Sequence, residues 1–376
     1  MAKTTIWGDF KADSVDRLSL SGGLTYLLNT SDINVVNIEA PVRGASKAIR
    51  KSGPSISQSG EAPRWIEEYG FNVVSLANNH TMDFGTEGME TTRRAFGKAR
   101  VIGCGSWQEA YKPLVMKTAD GMRIAFLAAT HCEFGTLTDK SWHDEIGTAW
   151  LMHPDLDRTI QFLGGGRCCD ALIVIAHAGV EYMDVPLPEW RERYHRLIEL
   201  GADAVIASHP HVPQGWEMYQ GKPICYSLGN FCFTKLKKDK ASAHWYESLC
   251  CVLTIEKPHE VNMEMKFVIY QPEAKMITEN DDKVFKEHLN RLNSLLKDDG
   301  AYMQEVNKGV SKLLPHYMNQ FSRGGLVKNV LSMGFLKGLA EGLLGKGFFK
   351  REHWMNNIQC ESHRWAILRA MKQKYR

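Results

Sequence analysis

Five short apolar runs before residue 210 are each followed directly by polar or charged side chains. The runs cover residues 4–7, 33–36, 72–76, 171–176 and 202–207. They are apolar without strict alternation, a pattern typical of strands that are buried on both faces. Because α/β sheets bind ligands at the carboxyl ends of their strands, we expect the residues that follow these runs to meet at one site.

The segments between and after these runs predict a mixed α/β core rather than a simple doubly wound sheet. Apolar residues at helical spacing predict helices over residues 59–69 and 187–200, each leading to a glycine. Asp120-Gly121 separates two strand-like runs, which is a strong hairpin signal. We therefore expect two mixed sheets, with further strands near residues 215–219, 223–227, 249–255 and 262–270.

The composition of the chain changes near residue 271. Residues 271–376 contain 18 basic and 11 acidic residues, a net charge of +7, whereas residues 1–270 contain 28 basic and 32 acidic residues, a net charge of −4. Strand-like runs cease after Gln271, and residues 283–296 have apolar residues at helical spacing. We predict a core domain over residues 1–270 and a basic, helical extension over residues 271–376.

The predicted extension has apolar residues spaced among lysines. A surface of this kind would lie on an anionic membrane or contact a protein partner, and a helical cap packed on the core is the alternative. The apolar residues are Leu336, Leu339, Leu343, Phe348 and Phe349.

Several features favour a cytoplasmic protein. The N-terminus lacks the basic region, long apolar stretch and cleavage site of a signal peptide, and no window of about 18 residues is free of charge. The nine cysteines include no CxxC pair, so we expect reduced thiols. The net charge of +3 gives no indication of nucleic-acid binding. Peripheral contact with the inner face of the membrane is an alternative for residues 271–376 only.

The segment Ser208-His209-Pro210-His211 is the strongest candidate for a metal site. Pro210 fixes its own φ and bends the loop, so both imidazoles can turn toward one centre, whereas a surface loop is the competing interpretation. His177 follows another apolar run and adds a third imidazole. A buried histidine bonded to the backbone would also fit that position.

Asp9, Glu39 and Asn79 supply oxygen donors after three other runs. A carboxylate at the end of an apolar run is costly to bury unless it pairs with a cation, so Asp9 and Glu39 are candidate ligands. Capping of a turn or helix is the alternative, and it fits Asp9 better than Glu39. The amide oxygen of Asn79 would be a neutral ligand, with turn formation as the competing explanation.

His80, Asp83 and Glu181 are candidates for catalysis. The imidazole of His80 would act as proton donor, and Asp83 would fix its tautomer. Glu181 would orient a metal ligand or bind substrate, and a simple salt bridge is equally compatible. The candidate ligands comprise two carboxylates, one amide and three imidazoles, which suits two divalent ions of Mn, Fe, Zn or Co. Two such ions about 3.5–4 Å apart support phosphoryl transfer, which indicates a hydrolase.

As an ordered set, these motifs resemble those of the CapA family of poly-γ-glutamate capsule synthesis proteins. The family is similar to calcineurin-like metallophosphoesterases, which implies a four-layer αββα sandwich with a two-metal site at one edge. The resemblance covers about residues 4–235, and its segments are Gly8-Asp9, Asn37-Ile38-Glu39, Asn78-Asn79-His80, His177-Ala178-Gly179, Ser208-His209-Pro210-His211 and Tyr226-Ser227-Leu228-Gly229-Asn230.

The resemblance implies a role for each candidate residue and a class of reaction. The function it implies is a phosphoesterase-type, metal-dependent hydrolase that acts on a small-molecule, peptide or polymer substrate in poly-γ-glutamate capsule or related polymer biosynthesis. The implied roles are a first metal bound by Asp9, a bridging Glu39, a second metal bound by Asn79 and His177, a pair His209 and His211 shared between the metals, and His80 as proton donor.

Two departures from the phosphoesterase pattern keep other functions open. No histidine lies two residues after Asp9, and the bridging position holds Glu39 rather than aspartate. Without a first metal, Asp9 and His211 would form an acid and base pair on opposite sides of a carbon, as in peptide epimerases that resemble this family. A third hypothesis is a non-catalytic subunit of a capsule synthetase complex, in which residues 271–376 contact a membrane or partner.

Overall fold

A computed structural model describes residues 1–44, 46–139, 145–165, 168–234, 244–321 and 347–374, with side chains omitted at 319–321, 347–351 and 374. The strands in these residues are β1 (Ala2–Lys11), β2 (Ser19–Leu20), β3 (Ile33–Ile38), β4 (Val73–Ser75), β5 (Arg100–Ile102), β6 (Cys104–Ser106), β7 (Leu114–Lys117), β8 (Arg123–Thr130), β9 (Thr136–Leu137), β10 (Ile146–Ala149), β11 (Ala171–His177), β12 (Ala204–Ser208), β13 (Trp216–Tyr219), β14 (Lys222–Cys225), β15 (Cys232–Phe233), β16 (Glu247–Lys257), β17 (Glu260–Gln271) and β18 (Met276–Glu279). The helices are α1 (Gly22–Asn29), α2 (Ala62–Glu68), α3 (Gly85–Ala95), α4 (Trp107–Ala110), α5 (Pro154–Gly164), α6 (Pro188–Glu199), α7 (Lys283–Leu295), α8 (Asp299–Phe321), α9 (Gly347–Gln359) and α10 (Glu361–Lys374).

The strands form two large mixed sheets and one small sheet. The larger sheet has the order β2-β18-β17-β16-β1-β3-β4-β5, and β15 also pairs with β1. The smaller sheet has the order β13-β14-β12-β11-β8-β7, and β6-β10-β9 form a separate three-stranded sheet. Strands β1, β3, β4 and β5 run parallel, as do β8, β11, β12 and β14. Their carboxyl ends therefore lie at one edge of each sheet.

Successive residues of the central strands pack on opposite faces of the larger sheet. Ile6 and Val35 share a buried cluster with β8 and β11, between the two sheets. Their neighbours Trp7 and Val36 pack in a second cluster with residues of α1 and α2. On the other side, α5 and α6 contact β11 and β12. The chain thus forms the four-layer αββα sandwich, which confirms the expected fold class.

Local predictions from the sequence hold for the long elements and fail at short ones. The helix expected over residues 187–200 is α6, and the Asp120-Gly121 hairpin joins β7 to antiparallel β8. The helix expected over 59–69 is limited to Ala62–Glu68, because Pro63 lies in its first turn and favours a start there.

The expectation that strands cease after Gln271 is wrong. Strand β18 pairs with β17 on one side and with β2 on the other, so the larger sheet continues past the predicted boundary. Only Ile277 of its four residues is buried, which explains why β18 has a weak apolar signal. The helical region begins at Lys283. Division of the chain into a core domain and an extension stays a prediction.

The described helices that follow β18 pack on the sandwich as a cap. Val306 of α8 and Ala366 of α10 belong to the main buried cluster. The indole N–H of Trp190 in α6 donates to Ser362 Oγ in α10 at 2.9 Å. Within the described ranges, none of the helices is long and apolar enough to cross a bilayer. The predicted apolar surface at Leu336, Leu339 and Leu343 lies outside the described residues, as do the side chains of Phe348 and Phe349.

Candidate metal centre

Two buried carboxylates meet at the carboxyl ends of β1 and β3. Asp9 lies inside β1 rather than after its end, at an irregularity in the pairing with β3, so the expected strand end at Trp7 is wrong. The amide nitrogen of Asn37 donates to Asp9 Oδ1 at 2.8 Å and to Glu39 Oε2 at 2.7 Å. One amide therefore holds both carboxylates in place.

The electrostatics of this pair favour a bound cation. Asp9 and Glu39 have no exposed surface. Burial raises the pKa of Asp9, and the neighbouring Glu39 raises it further. Burial likewise raises the pKa of Glu39. The second oxygen of Glu39, Oε1, receives no hydrogen bond from any described residue. An ionised pair in this position needs a positive charge nearby to offset desolvation.

His177 lies at the centre of a group that has too few hydrogen-bond donors. Its Nε2 is 3.4 Å from Glu39 Oε1, 3.1 Å from Asn79 Oδ1 and 3.1 Å from His209 Nδ1. A single N–H can donate to only one of these three atoms. The ligand atoms of Glu39, His177 and His209 all lie within 4.8 Å of one another. A metal ion among them would satisfy every lone pair at once.

Both imidazoles of this group are neutral at physiological pH. Burial lowers the pKa of His177 to about 4. Burial also lowers the pKa of His209 well below its ordinary value, and the neighbouring imidazoles of His131, His177 and His211 lower it further. Neutral imidazole is the form that binds metals.

The loop after β12 turns His209 and His211 toward the same cluster. The predicted bend is present, but it lies at the two histidines, whose φ angles of 107° and 59° are unusual for side-chain-bearing residues. His211 Nδ1 is 2.9 Å from Asn230 Oδ1 and 3.7 Å from Asp9 Oδ2. Burial lowers the pKa of His211, but Glu39, Glu181 and Asp9 outweigh it, so the pKa is raised. His211 thus lies on the Asp9 side of the centre.

Gly179, after β11, is required by the shape of this loop. Its φ is 149°, and a Cβ at this position would lie 2.7 Å from Cγ of Pro210. We expect Gly179→Ala to displace the His209 loop and destabilise the protein by about 1–3 kcal/mol. Urea unfolding would measure the change, with Gly44→Ala as control because a Cβ there has no neighbour within 4 Å. Equal stability of the two variants would contradict this requirement.

A second buried network holds His80 beside the centre. His80 Nδ1 is 2.8 Å from Asp83 Oδ2, which also accepts from the backbone N–H of Ile56 at 2.7 Å. Lys51 forms a buried ion pair with Asp83 Oδ1. Burial alone would raise the pKa of Asp83, but His80 and Lys51 lower it below its ordinary value. Asp83 is therefore ionised and positioned to fix the ring of His80.

A cavity of about 540 Å³ opens onto this network. Asn79, His80 and His211 line it, together with residues of α8, α9 and α10. Glu181 is exposed on its wall. Its place suits contact with substrate.

Several residues of this site were not identified from the sequence. Asn37 follows the apolar run 33–36 and falls in a recognised motif, but its hydrogen bonds to Asp9 and Glu39 appear only in the folded site. Asn230 falls in a recognised motif, but its contact with His211 requires the folded loop. Lys11 occupies the position where the phosphoesterase pattern has histidine, and its ammonium pairs with Asp13 at 2.6 Å instead.

Two named relatives match about half of the chain. Capsule biosynthesis protein CapA of Bacillus anthracis is 33% identical over 217 residues, which is 55% of this chain and 52% of that protein. PGA biosynthesis protein CapA of Bacillus subtilis (strain 168) is 30% identical over 217 residues, which is 55% of this chain and 54% of that protein. The chain spans about half the length of these relatives.

Comparison with solved structures gives distant similarity. The 5'-nucleotidase of Candida albicans SC5314 has a TM-score of 0.43 and 9% identity, covering 73% of this chain and 52% of that one. Similarity at this level carries no argument about activity. The family model described as bacterial capsule synthesis protein PGA_cap matches residues 1–235, which is more than half of the chain. The chain therefore belongs to the PGA_cap family of bacterial capsule synthesis proteins.

Proposed function

We propose that this protein is a metal-dependent hydrolase of the phosphoesterase type that acts in poly-γ-glutamate capsule synthesis or in related polymer biosynthesis. The observation that supports this most is the set of lone pairs around His177 Nε2, with Glu39 Oε1 lacking a donor. The names of the two relatives, capsule biosynthesis protein and PGA biosynthesis protein, support the biological context.

The residues suit one or two divalent ions of the Mn, Fe, Zn or Co class. Glu39, Asn79, His177 and His209 would hold one ion, and Asp9 and His211 would serve a second on the other side of Glu39. This donor set of oxygen and imidazole nitrogen fits those metals better than it fits metals that select thiolate ligands. A bound divalent ion supplies Lewis-acid stabilisation of the charge that develops on the oxygens in phosphoryl transfer.

His80 would supply the proton that the leaving group requires. If His80 donates its Nδ1 hydrogen to Asp83 across the 2.8 Å contact, Nε2 would serve proton exchange with substrate. Lys51 holds the Asp83 carboxylate in position through the buried ion pair. His80 lines the cavity, so a bound substrate can reach it.

The cavity favours a substrate larger than a simple phosphate ester. Its volume of about 540 Å³ is within the range of sites for drug-sized ligands, about 300–1,000 Å³. Glu181 on its wall would bind a donor group of the substrate, and the cap formed by α8, α9 and α10 would contact the rest. A segment of a polymer or its precursor fits this description.

The geometry does not favour the epimerase hypothesis. Acid and base groups on opposite sides of a carbon need about 6 Å between them, because each lies about 3 Å from the atom it serves. His211 Nδ1 and Asp9 Oδ2 are only 3.7 Å apart, and both residues are buried. No substrate carbon fits between these two atoms.

The proposal can be tested with the full-length protein and three substrate classes. We expect purified protein to contain a transition metal and to cleave a phosphomonoester, a phosphodiester or a γ-glutamyl peptide faster when Mn²⁺, Zn²⁺ or Co²⁺ is added. Absence of both bound metal and metal-stimulated cleavage would contradict it. Metal binding together with polyglutamate binding but no turnover would instead support a non-catalytic subunit.

His80→Gln is expected to reduce kcat/KM by about 10²–10⁴-fold while leaving metal content unchanged, because a general acid contributes in that range. Metal analysis and steady-state kinetics on the same preparation would measure both quantities. The control is His195→Gln, since His195 contacts Glu217 and Tyr219 outside this site. Loss of metal in the His80 variant, or unchanged kcat/KM, would count against the assigned role.

A further inference from the structure

A second group of metal-ligand residues lies where the C-terminal cap meets the core. His131 and Glu133 belong to the loop that follows β8, and Cys360 immediately precedes α10. Their ligand atoms all lie within 4.8 Å of one another, and all three residues are buried. His363, in the first turn of α10, has its Nε2 4.0 Å from Glu133 Oε1. The chain thus places two imidazoles, one carboxylate and one thiol together.

Two ring nitrogens of this group are buried without partners. Neither His131 Nε2 nor His363 Nδ1 has a hydrogen-bond partner among the described residues. His131 is completely buried and its Nδ1 is 3.0 Å from Ser362 Oγ, so its other nitrogen, Nε2, lies on the side of Glu133, 3.7 Å from Oε1. A buried nitrogen such as His131 Nε2, which faces the cluster, is costly unless a ligand binds it, whereas His363 approaches the cluster with its other nitrogen, Nε2.

Cys360 offers a buried sulfur ligand whose charge would need a bound cation. Burial raises the pKa of its thiol and the carboxylates of Glu133 and Glu361 raise it further, whereas the backbone N–H groups of His363 and Ser362 offset only part of this rise. The thiolate is the metal-binding form, and a coordinated metal ion would itself stabilise it. Ser362 Oγ accepts from Trp190 Nε1 at 2.9 Å and can also accept from His131 Nδ1. That contact would leave His131 Nε2 free to coordinate, as in many metal-bound histidines.

We propose that His131, Glu133, Cys360 and His363 form a second site that binds one transition-metal ion, Zn²⁺ by its donor chemistry. His131, Glu133 and Cys360 lie within mutual reach of one ion, and His363, next to Glu133, would complete the four nitrogen, oxygen and sulfur ligands that zinc binds. The Cys-x-x-His spacing of 360 and 363 has the short separation that such sites use. This site includes a thiolate, whereas the ligands of the first centre are oxygen and imidazole only.

The second site joins the cap to the catalytic side of the sandwich. The ring of His131 lies 4.4 Å from that of His209, and the backbone N–H of His131 donates to the carbonyl of His177 at 3.1 Å. Both Glu133 and His363 line the cavity. A metal here would hold α10 against the loop after β8 and fix one wall of the cavity. The role is structural and does not depend on the proposed hydrolase activity.

Cobalt substitution of the full-length protein tests the site directly. After removal of bound metal with a chelator, Co²⁺ is added and the near-ultraviolet absorption is recorded, because a Co²⁺–thiolate bond gives a charge-transfer band that oxygen and imidazole ligands do not. We expect the band in the native sequence and its loss in Cys360→Ser. His363→Ala is expected to keep the band and weaken Co²⁺ binding by about tenfold or more.

Cys132→Ser is the matched control, because Cys132 lies on the same loop, is buried, and directs its sulfur to the amide of Gln359 at 3.3 Å. This variant should keep the band. Absence of the band in the native sequence, its persistence in Cys360→Ser, or its loss in Cys132→Ser would each overturn the proposal. If Cys360→Ser does not fold, absence of the band in the native sequence, or its loss in Cys132→Ser, would still overturn the proposal.

Discussion

His209→Ala is expected to remove most of the metal from the first centre and to lower metal-dependent cleavage by about 100-fold or more. Residues that only orient a metal ligand typically cost about 10–100-fold when replaced, so loss of a direct ligand should reach or exceed the upper end. The contact of 3.1 Å between His209 Nδ1 and His177 Nε2 places the missing nitrogen at the centre of the cluster. Metal analysis and kcat/KM on the same preparation would measure both effects.

His195→Ala is the control for this variant, because it removes an imidazole of α6 that bonds to Glu217 instead of the centre. It should retain metal and cleavage. Full metal content in His209→Ala would show that His209 is not a ligand. Loss of metal without loss of cleavage would show that the reaction does not use the centre, and the proposed function would then fail.

Asp83→Asn is expected to lower the free energy of unfolding by about 3–5 kcal/mol. The side chain of Lys51 is 3% exposed and that of Asp83 is fully buried. Removal of the carboxylate charge leaves the ammonium of Lys51 buried without its counter-ion, which costs this much in proteins. Urea unfolding at neutral pH would measure the change. Asp16→Asn is the control, because Asp16 is 73% exposed and its ion pairs contribute about 1 kcal/mol at most.

The double variant Lys51→Met/Asp83→Asn should recover most of the stability, since it removes both charges together. The difference between native protein and Asp83→Asn should also depend on pH. The folded-state pKa of Asp83 lies below its ordinary value of about 3.9, so the stabilisation is complete above that value and is lost as the pH falls through the folded-state pKa. A change below about 1 kcal/mol at neutral pH would contradict the buried pair.

The sequence predicted a mixed two-sheet core because its signals are local, whereas the four-layer sandwich was implied by the family resemblance. Long apolar runs such as β11 and a strongly periodic helix such as α6 are recognisable from their own residues. Strand β18 was not predicted, because four residues with one buried side chain give no recognisable apolar pattern. Its place is determined by pairing with the adjacent β17 and with β2, which lies more than 250 residues earlier in the sequence.

The sequence identified the side chains that cluster at the candidate site, but not the residues that hold them in place; their role as ligands stays a prediction. Glu39, His177 and His209 follow apolar runs and were named from that position. Asn37 and Lys51 contribute through contacts with residues far along the chain or through burial, which composition and spacing do not encode. The Cys360 and His363 pair has a short metal-type spacing, but its partners in the loop after β8 lie more than 200 residues earlier.

The position of β1 has a consequence for synthesis of the protein. This strand pairs with β3 on one side and with β16 on the other, and β16 ends at Lys257. At a translation rate of about 5–20 residues per second, β1 emerges roughly 12–50 s before its second neighbour does. During that interval one edge of a strand that is buried in the folded protein has no long partner from its own sheet, which is a hazard for nascent chains. The residues that match the family model, 1–235, therefore do not include the strand that completes their sheet, and a chain truncated there would keep that edge open.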